Sequence, residues 1–423
     1  MEVAQVKKIC IVTTRHISYN PRVLKEADAF FQRGYRVTVV TVNNHADQFR
    51  FDCELMQNRA WSLKTVNFRK GEKSEKPYWL YLSLKQKIFA LLGKATFQFG
   101  IAERAALKAF DALVKLAANE KADFYIAHHA EALGAAYKAA KVNNAGFGFD
   151  AEDFHTGMNE SGTASKDDAL IAYLEAKYLP HCSYLTAASK GIGEAYSSKY
   201  KIPLRNTILN VFPKEPVQVN EVNKPVRFYW YSQVIGPNRS LEALLEAASQ
   251  IEQPFEIHLR GSFHSEAYKI KLERLIKKFK LAGKLFFHSP ILAEHIIKDA
   301  AQYDIGLALE SDVSVNRNIC VTNKIFSYLM SGLAIVGTDT YGQKDIFEQF
   351  SDAVCLCRQN DTSDLARALR YFLEQPEKLS WAKKVARKAA DERFNWEIES
   401  ERLINGFEKT LNPETKLQSF VAP

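Results

Sequence analysis

The 423-residue sequence predicts an α/β protein that contains two doubly wound parallel sheets. Short runs of β-branched and aromatic residues alternate with amphipathic segments of helical period along almost the whole chain. Continuous apolar runs of about four to seven residues are typical of strands that are covered on both faces. Because strand–helix alternation requires parallel pairing and right-handed crossovers, each set of strands should form a doubly wound sheet.

The candidate strands fall into two sets. The first set consists of Lys8–Thr14, Arg36–Val42, Phe124–His128, Gly146–Asp150, Tyr184–Ala188 and Ile208–Val211. The second set consists of Arg227–Tyr231, Phe255–Leu259, Lys284–His288, Ile305–Leu309, Leu333–Gly337 and Ala353–Cys357. A stretch with Pro213, Pro216 and Pro225 but no helical or strand period separates the sets. We therefore expect two Rossmann-like domains, residues 1–214 and 226–392, joined by a linker at 215–225.

Helical periodicity fills the segments between these strands. Pro21 suits a first helical turn, and Gly34 suits the end of that helix. The apolar face of this first helix is expected to consist of Val23, Leu24, Ala27, Phe30 and Phe31. After the last strand the pattern is helical only, from Thr362 to about Thr410.

Composition and charge exclude several classes of protein. The chain has 57 basic and 49 acidic residues, and this net charge of +8 is too small to indicate nucleic-acid binding. The six cysteines form no Cys-x-x-Cys pair, so neither a zinc ribbon nor a thioredoxin-type site is expected. The N-terminal residues MEVAQVKKICIVTT do not have the long apolar stretch that a signal peptide needs, and the sequence contains no run of some 18 apolar residues. We expect a reduced cytoplasmic protein with buried cysteines.

Ligands of doubly wound sheets bind at the carboxyl ends of the strands. The first strand is followed by Thr13-Thr14-Arg15-His16, which contains no glycine, and no G-x-G-x-x-G fingerprint follows any strand. This argues against a dinucleotide-binding enzyme.

Two other strands of the first half end in polar clusters. His128 and His129 follow one strand, where a histidine can position a substrate oxygen or simply cap a loop. Asp150, Glu152 and Asp153 follow the next strand, where they suit a metal, sugar hydroxyls or a solvated loop. The sequence alone leaves these alternatives open.

The second half has two further polar segments at strand ends. Gly236-Pro237-Asn238-Arg239-Ser240 joins a strand to a helix, and a cation on a first helical turn suits a diphosphate. A long polar loop and the helix after it contain Glu310, Asn316, Arg317, Asn323 and Lys324. A polar loop of about a dozen residues inside a compact domain usually has a function.

Taken together, these motifs resemble those of retaining glycosyltransferases with the GT-B fold, in the large group-4-like class of bacterial sugar transferases. The resemblance extends over nearly the whole chain and rests on YNPRVLKEADAFFQRGYRVTVVT, LTAASKGIGEAY with ILNVFP, QVIGPNRSLEALLEAA and TNKIFSYLMSGLAIVGTD. It implies an acceptor-binding first domain, a nucleotide-sugar-binding second domain, a cleft between them and a last helix, residues 393–412, that returns to the first domain.

The same resemblance implies a reaction. A hexosyl unit would move from a UDP- or GDP-sugar to a saccharide or lipid-linked acceptor with retention of configuration, in the synthesis of cell-surface polysaccharide or glycolipid. No cofactor and no essential metal would be required.

Individual roles also follow from the resemblance. Arg239 matches the second of two cations on the donor pyrophosphate, and Gln233 stands at the first. Ser327 stands at the second carboxylate of the family's motif, the ribose contact, and Glu310 is the nearest candidate for the first carboxylate, which has no clean counterpart here. The implied sets are catalytic His128, Arg239 and Glu310; donor-binding Gly236, Arg239, Arg317, Asn323, Lys324 and Ser327; and acceptor-binding Arg15, Asp150 and Glu152. Arg15, Arg260 or Arg317 would replace the charge that is lost at Gln233.

Two other functions stay open at this point. A nucleotide-sugar epimerase of the same fold would need acid and base groups in the cleft. A catalytically silent nucleotide-sugar-binding subunit is favoured by the substitutions at Gln233 and Ser327.

The segment Lys76–Ala102 has a composition that suits an anionic membrane surface. It has four lysines and no acidic residue, interleaved with Tyr78, Trp79, Tyr81, Phe89, Phe97 and Phe99. The alternative is a pair of ordinary core helices with solvated lysines. On the first interpretation the protein is peripheral on the inner face of the membrane.

Overall fold

The computed structural model describes residues 7–160 and 165–411, which divide into two compact units. Residues 7–208 and 400–411 form the first unit, and residues 209–399 form the second. Among the described residues, no helix is both long enough and apolar enough to cross a membrane.

The first unit is a seven-stranded sheet with helices. Its strands are β1 (Lys8–Val12), β2 (Arg36–Asn43), β3 (Ser62–Asn67), β4 (Phe124–His128), β5 (Gly146–Ala151), β6 (Tyr184–Ala187) and β7 (Leu204–Thr207). Its helices are α1 (Pro21–Gln32), α2 (Ala46–Met56), α3 (Lys76–Leu92), α4 (Ile101–Ala106), α5 (Phe110–Ala118), α6 (Leu133–Val142), α7 (Lys166–Tyr178) and α8 (Lys190–Tyr200).

The second unit repeats this plan with six strands. They are β8 (Val226–Ile235), β9 (Phe255–Phe263), β10 (Leu285–His288), β11 (Ile305–Ala308), β12 (Ala334–Thr338) and β13 (Val354–Cys357). The helices are α9 (Leu241–Ala248), α10 (Glu266–Lys278), α11 (Ile296–Ala300), α12 (Val315–Ile319), α13 (Asn323–Ser331), α14 (Tyr341–Phe347), α15 (Thr362–Leu373) and α16 (Pro376–Glu392). The last helix, α17 (Trp396–Leu411), begins in this unit, and its residues from Ser400 onward belong to the first unit.

The strand order of both sheets produces one topological switch point in each. The first sheet has the order β3-β2-β1-β4-β5-β6-β7 and the second the order β10-β9-β8-β11-β12-β13, and all recorded strand pairs are parallel. From β1 the chain adds strands toward one edge of the sheet, and from β4 onward it adds them toward the other edge. The same change of side occurs between β8 and β11 in the second sheet. In such sheets a crevice opens at the switch point, beyond the carboxyl ends of the strands.

The sequence prediction of two Rossmann-like parallel sheets is confirmed, and eleven of the twelve predicted strands are present. The prediction of a strand at Ile208–Val211 is wrong, because the strand lies at Leu204–Thr207 and residues 208–211 are neither helix nor strand. β3 was not predicted: it lies at the edge of its sheet, and Val66 is the only one of its side chains that is buried.

The first helix begins as the sequence indicates. The Asn20 side chain accepts a hydrogen bond from the Val23 N–H, and Pro21 occupies the first turn. The predicted apolar face is buried except at Phe31, which is 39% exposed. Two charged residues, Arg22 and Glu26, are buried on this helix instead.

Candidate functional site

The switch point of the second sheet brings the polar segments after β8 and β11 next to each other. β8 pairs with β11 through Phe228 and Tyr229, so both strands end at the same edge. Gly236 follows β8, and Glu310 follows β11. Two of the predicted donor segments therefore share one end of one sheet.

Glu310 is the centre of a buried charge cluster. Lys324 Nζ donates to its Oε1 at 2.8 Å, and Arg317 Nη1 donates to its Oε2 at 3.3 Å. Burial alone would raise the pKa of Glu310, but the charges of Lys324, Arg317 and Arg239 outweigh it and hold that pKa below its usual value. Three cations thus surround one carboxylate, which leaves a local charge of +2. We call these four residues the cation cluster.

The position of Glu310 is fixed by the neighbouring strand. Its N–H donates to Thr338 Oγ1 at 2.9 Å, and the same hydroxyl donates to the Glu310 carbonyl at 2.7 Å. The Gln343 amide donates to the Ala308 and Thr338 carbonyls at 3.1 Å and 2.9 Å. The carboxylate is therefore held by β12 and α14 as well as by the polar loop.

Arg239 lies in an unusual backbone turn. Asn238 and Ser240, on either side of it, have left-handed backbones with φ of 58° and 56°. Such conformations cost free energy outside glycine and concentrate at ligand-binding turns. Gly236 precedes this turn, and a Cβ there would lie 3.1 Å from His264 Cβ. The chain then enters α9 at Leu241.

The start of α13 adds a second helix N-terminus to the cluster. Its N-cap, Thr322, makes no side-chain capping hydrogen bond, so the first N–H groups keep the positive end of the helix dipole. Asn323 is exposed at this end, whereas Lys324 is buried with its ammonium 5.8 Å from the Trp230 ring centroid.

Ser327 and Gln233, which the resemblance assigns to the donor site, do not belong to the cation cluster. Ser327 is fully buried, 2.9 Å from Tyr231 Oη, and donates to the Lys324 carbonyl at 2.8 Å. Gln233 is exposed. Arg260, a candidate for replacing its charge, is bonded to both oxygens of Asp299 at 2.9 Å and 2.7 Å. Arg317, another of these candidates, belongs to the cation cluster through its bond to Glu310.

The switch point of the first sheet holds a second charge cluster. It lies at the ends of β4 and β5 and on α1, and it consists of two cations, Arg22 and His128, with three carboxylates, Glu26, Asp150 and Glu152. Of the sequence-predicted residues, His128, Asp150 and Glu152 are brought together here. Arg15, on the loop after β1, is exposed.

His128 is completely buried, and carboxylates occupy both of its ring nitrogens. Nε2 bonds to Glu26, and Nδ1 lies 3.3 Å from Glu152 Oε1 and 3.5 Å from Asp150 Oδ2. Burial lowers the pKa of His128, but the charge of Glu26 and the hydrogen bonds to Glu152 and Glu26 raise it to about 10. His128 is therefore an imidazolium at neutral pH.

Glu26, His128 and Asp150 offer ligand atoms within 4.8 Å of one another, a spacing that a metal ion would fit. The donor set does not suit a metal, since both oxygens of Asp150 already accept hydrogen bonds from the Arg22 guanidinium. In addition, both ring nitrogens of His128 already lie within hydrogen-bond distance of carboxylates. We assign this cluster to charge pairing.

Several buried polar atoms near this cluster have no hydrogen-bond partner in the described part of the chain. They are Thr13 Oγ1, Glu26 Oε1, His129 Nδ1 and His155 Nε2. His129 is 4% exposed, Asn20 lies 3.1 Å from its other nitrogen, and its ring centroid is 6.0 Å from that of His155. Burial lowers the pKa of His129 to about 3, so this ring is neutral. Buried polar groups of folded proteins are normally hydrogen-bonded, so these atoms are available to a ligand or to ordered water.

Sequence reasoning missed Arg22 and Glu26, although both lie in the YNPRVLKEADAFF motif. The two residues are four apart, so they share one side of α1 beside the apolar face. Two opposite charges four residues apart, next to the apolar face of a helix, could have indicated that both side chains are buried.

Solved structures similar to this chain have the same architecture. The HepE protein of Anabaena, determined in complex with UDP-glucose, has a TM-score of 0.67 and 13% identity, with 95% of this chain and 100% of that chain covered. A glycosyltransferase of Rickettsia africae has a TM-score of 0.68 and 12% identity, with 96% and 99% covered. The sucrose-phosphate synthase of Thermosynechococcus elongatus has a TM-score of 0.67 and 14% identity, with 96% and 100% covered. No protein-family model and no curated protein matches the sequence. At these identities the likeness establishes the fold, which is that of GT-B glycosyltransferases.

Proposed function

We propose that this protein is a glycosyltransferase that moves a hexosyl unit from a nucleotide-sugar to a saccharide or lipid-linked acceptor. Similarity of the whole chain to glycosyltransferases, one of them in complex with UDP-glucose, supports a UDP-sugar as donor, and a GDP-sugar is the second candidate. The resemblance of the sequence motifs supports retention of configuration and a role in cell-surface polysaccharide or glycolipid synthesis on the cytoplasmic side.

The cation cluster is the observation that carries this proposal. Its charge of +2 complements the negative charge of a nucleotide diphosphate. Two helices also begin next to members of the cluster, α9 after Arg239 and α13 just before Lys324. Preorganised cations and helix N-termini stabilise the charge that develops on a leaving diphosphate. Arg239 is the principal diphosphate contact, and Lys324 and Arg317 exchange Glu310 for phosphate oxygens when the donor binds.

The first unit supplies the groups for the acceptor and the transferred sugar. The unpartnered atoms of Thr13, His129 and His155 can each form a hydrogen bond with a sugar hydroxyl. Because Nε2 of the neutral His129 ring accepts from the Asn20 amide, its Nδ1 can donate. His128, Asp150 and Glu152 position these groups through their mutual ion pairs, and Arg15 offers an exposed cation at the same strand ends.

Neither a metal nor a cofactor enters this proposal. The cation cluster supplies the positive charge that a divalent ion supplies in metal-dependent transferases. The proposal also includes no nucleic-acid partner, and it includes an anionic membrane as the surface on which a lipid-linked acceptor would be met.

The test is nucleotide release from a panel of UDP- and GDP-sugars, measured with the parent, with Arg239→Ala and with Arg274→Ala. Arg274 is an exposed arginine on α10 and serves as the matched control. We expect release from at least one donor, a large loss in Arg239→Ala and none in the control. Conversion of the donor to an isomer without release would instead identify an epimerase, and binding without either reaction a silent subunit.

A further inference from the structure

Helix α3 exposes an apolar surface along most of its length. Leu80, Leu84, Ile88 and Leu91 are 53%, 61%, 49% and 61% exposed. Their spacings of four, four and three residues place them on one side of the helix. We call these four residues the apolar ridge. Leu82 is the only side chain of α3 that is fully buried.

Lysines flank the apolar ridge on both sides. At about 100° per residue, the ridge together with Tyr81 covers an arc of about 100°. Lys76 and Lys87 lie beyond one edge of this arc, and Lys85 lies beyond the other. Lys76 and Lys87 are exposed, whereas Lys85 is bonded to Asp111 at 2.7 Å.

The turn after α3 also exposes a lysine and an apolar side chain. Lys94 is exposed there, and the ring of Phe99 is 87% exposed, the largest value among the bulky apolar residues described. From Lys76 to Ala102 the chain contains no acidic residue. An apolar strip bordered by cations matches the boundary between acyl chains and anionic headgroups, because lysine stems can bury while their ammonium groups stay in water.

We propose that α3 docks on an anionic lipid bilayer, with the apolar ridge in the acyl boundary and Lys76, Lys87 and Lys94 on the headgroups. The occupant is a membrane and not a second copy of this chain, since antiparallel pairing of two such faces would bring the exposed Lys76 and Lys87 of one copy against those of the other. Trp79, which the sequence suggested as an aromatic anchor, lies instead between the ammonium groups of Lys70 and Lys108, 5.4 Å and 5.0 Å from its ring centroid. The inserting surface of α3 is therefore mainly aliphatic, with Tyr81 at its edge.

The test is co-sedimentation of the full chain with vesicles of phosphatidylcholine alone or mixed with phosphatidylglycerol, at low and high salt. We expect binding to the anionic vesicles, weakened by salt. Lys76→Gln, Lys87→Gln and Lys94→Gln combined should lower the partition coefficient on the order of 100-fold, since each lysine near the surface contributes about five-fold. Leu84→Gln with Ile88→Gln should lower it by about ten-fold or more.

Matched controls come from the second unit. Leu292 is 60% exposed, close to Leu84, and Lys277, Lys278 and Lys280 are exposed lysines. Their glutamine variants should bind like the parent. Equal binding to neutral and anionic vesicles, binding to neither, or a dimer in solution that Leu84→Gln dissociates would each overturn the proposal. The assay measures no turnover, so its failure leaves the proposed transfer reaction untouched.

Discussion

Replacing Glu310 with glutamine should destabilise the protein and at the same time strengthen its binding of UDP. The substitution preserves the shape of the side chain and removes the one negative charge of the cation cluster. Lys324 and Glu310 have side chains that are only 10% and 8% exposed, so the loss leaves a buried ammonium without its partner. Removing one member of a buried ion pair costs on the order of 3 kcal/mol of folding free energy.

The gain in UDP affinity follows from the same charge. A carboxylate about 6 Å from a phosphate charge costs about 3 kcal/mol at an effective dielectric constant near 20. Glu310→Gln removes this repulsion, and the donor no longer has to displace the carboxylate from Lys324. Discounting most of the Coulomb energy for solvent and salt, we expect UDP to bind about ten-fold more tightly, which is 1.4 kcal/mol.

Isothermal titration and thermal unfolding with and without UDP measure the two effects. Because a ligand that binds the folded state stabilises it by an amount that grows as its dissociation constant falls, UDP should raise the Tm of Glu310→Gln more than that of the parent. Asp299→Asn is the matched control, since it breaks the pair with Arg260 in the same unit. It should destabilise the protein and leave UDP affinity unchanged. An affinity for UDP that is unaltered or weaker in Glu310→Gln would refute the competition between Glu310 and the diphosphate.

Four further predictions concern the two charge clusters and the last helix. Arg239→Ala should lower kcat/KM by about 2–4 kcal/mol of transition-state free energy, the cost of losing one preorganised charge contact. Turnover of the parent should persist in excess chelator, because the cation cluster supplies the positive charge. The raised pKa of His128, about 10, gives a stability contribution that is complete below its unfolded pKa near 6.5 and is lost as the pH rises through about 10; urea unfolding of His128→Gln should lack this loss. Gly406→Ala should fail to gain the roughly 1 kcal/mol expected in a helix, since its Cβ would lie 2.0 Å from Asn206 Nδ2.

Each of these has a result that contradicts it. A kcat/KM within a few-fold of the parent would remove Arg239 from the donor site. Complete, metal-reversible loss of activity in chelator would return attention to Glu26, His128 and Asp150 as ligands. Parallel pH profiles for the parent and His128→Gln would show that the imidazolium contributes nothing, and a stabilised Gly406→Ala would show that Asn206 moves away at no cost. In an Asn206→Ala background, Gly406→Ala should recover its ordinary gain.

The sheets could be predicted because buried parallel strands are continuous apolar runs. The prediction failed at β3 and β7, the two edge strands of the first sheet, where this reason does not hold, whereas the edge strands β10 and β13 of the second sheet were predicted. β7 has the sequence LRNT, and the apolar residues just after it, Ile208, Leu209 and Val211, are buried without being a strand. At β7 the buried apolar residues and the paired residues are therefore not the same ones.

The charge clusters could be predicted only in part. Lys324, Arg317 and Glu310 lie within fifteen residues of sequence, so their common surroundings were visible as one polar loop. The pairing of His128 with Glu26 could not be predicted in this way, because Glu26 lies on a helix about a hundred residues earlier. Sequence reasoning indicated that His128 touches a sugar, whereas its nitrogens bond to carboxylates that no local pattern connects to it.

The apolar ridge shows a different limit. Periodicity detects which residues of a helix share a side, but it does not say whether that side faces a core or solvent. For Lys76–Ala102 the sequence left both alternatives open. In the structure Leu84 and Leu91 are exposed, so the side of α3 on which they lie does not face the core of its unit.

Titration of UDP and UMP tests the central claim, that the cation cluster receives a nucleotide diphosphate, most directly. The two ligands share base and ribose, so their difference in affinity isolates the second phosphate. Hydrogen bonds to charged groups contribute about 1.5–3 kcal/mol each, so the parent should bind UDP at least ten-fold more tightly than UMP. In Arg239→Ala combined with Lys324→Met the two affinities should fall within about three-fold of each other. Equal affinities in the parent, or an undiminished preference for UDP in the double variant, would contradict the claim.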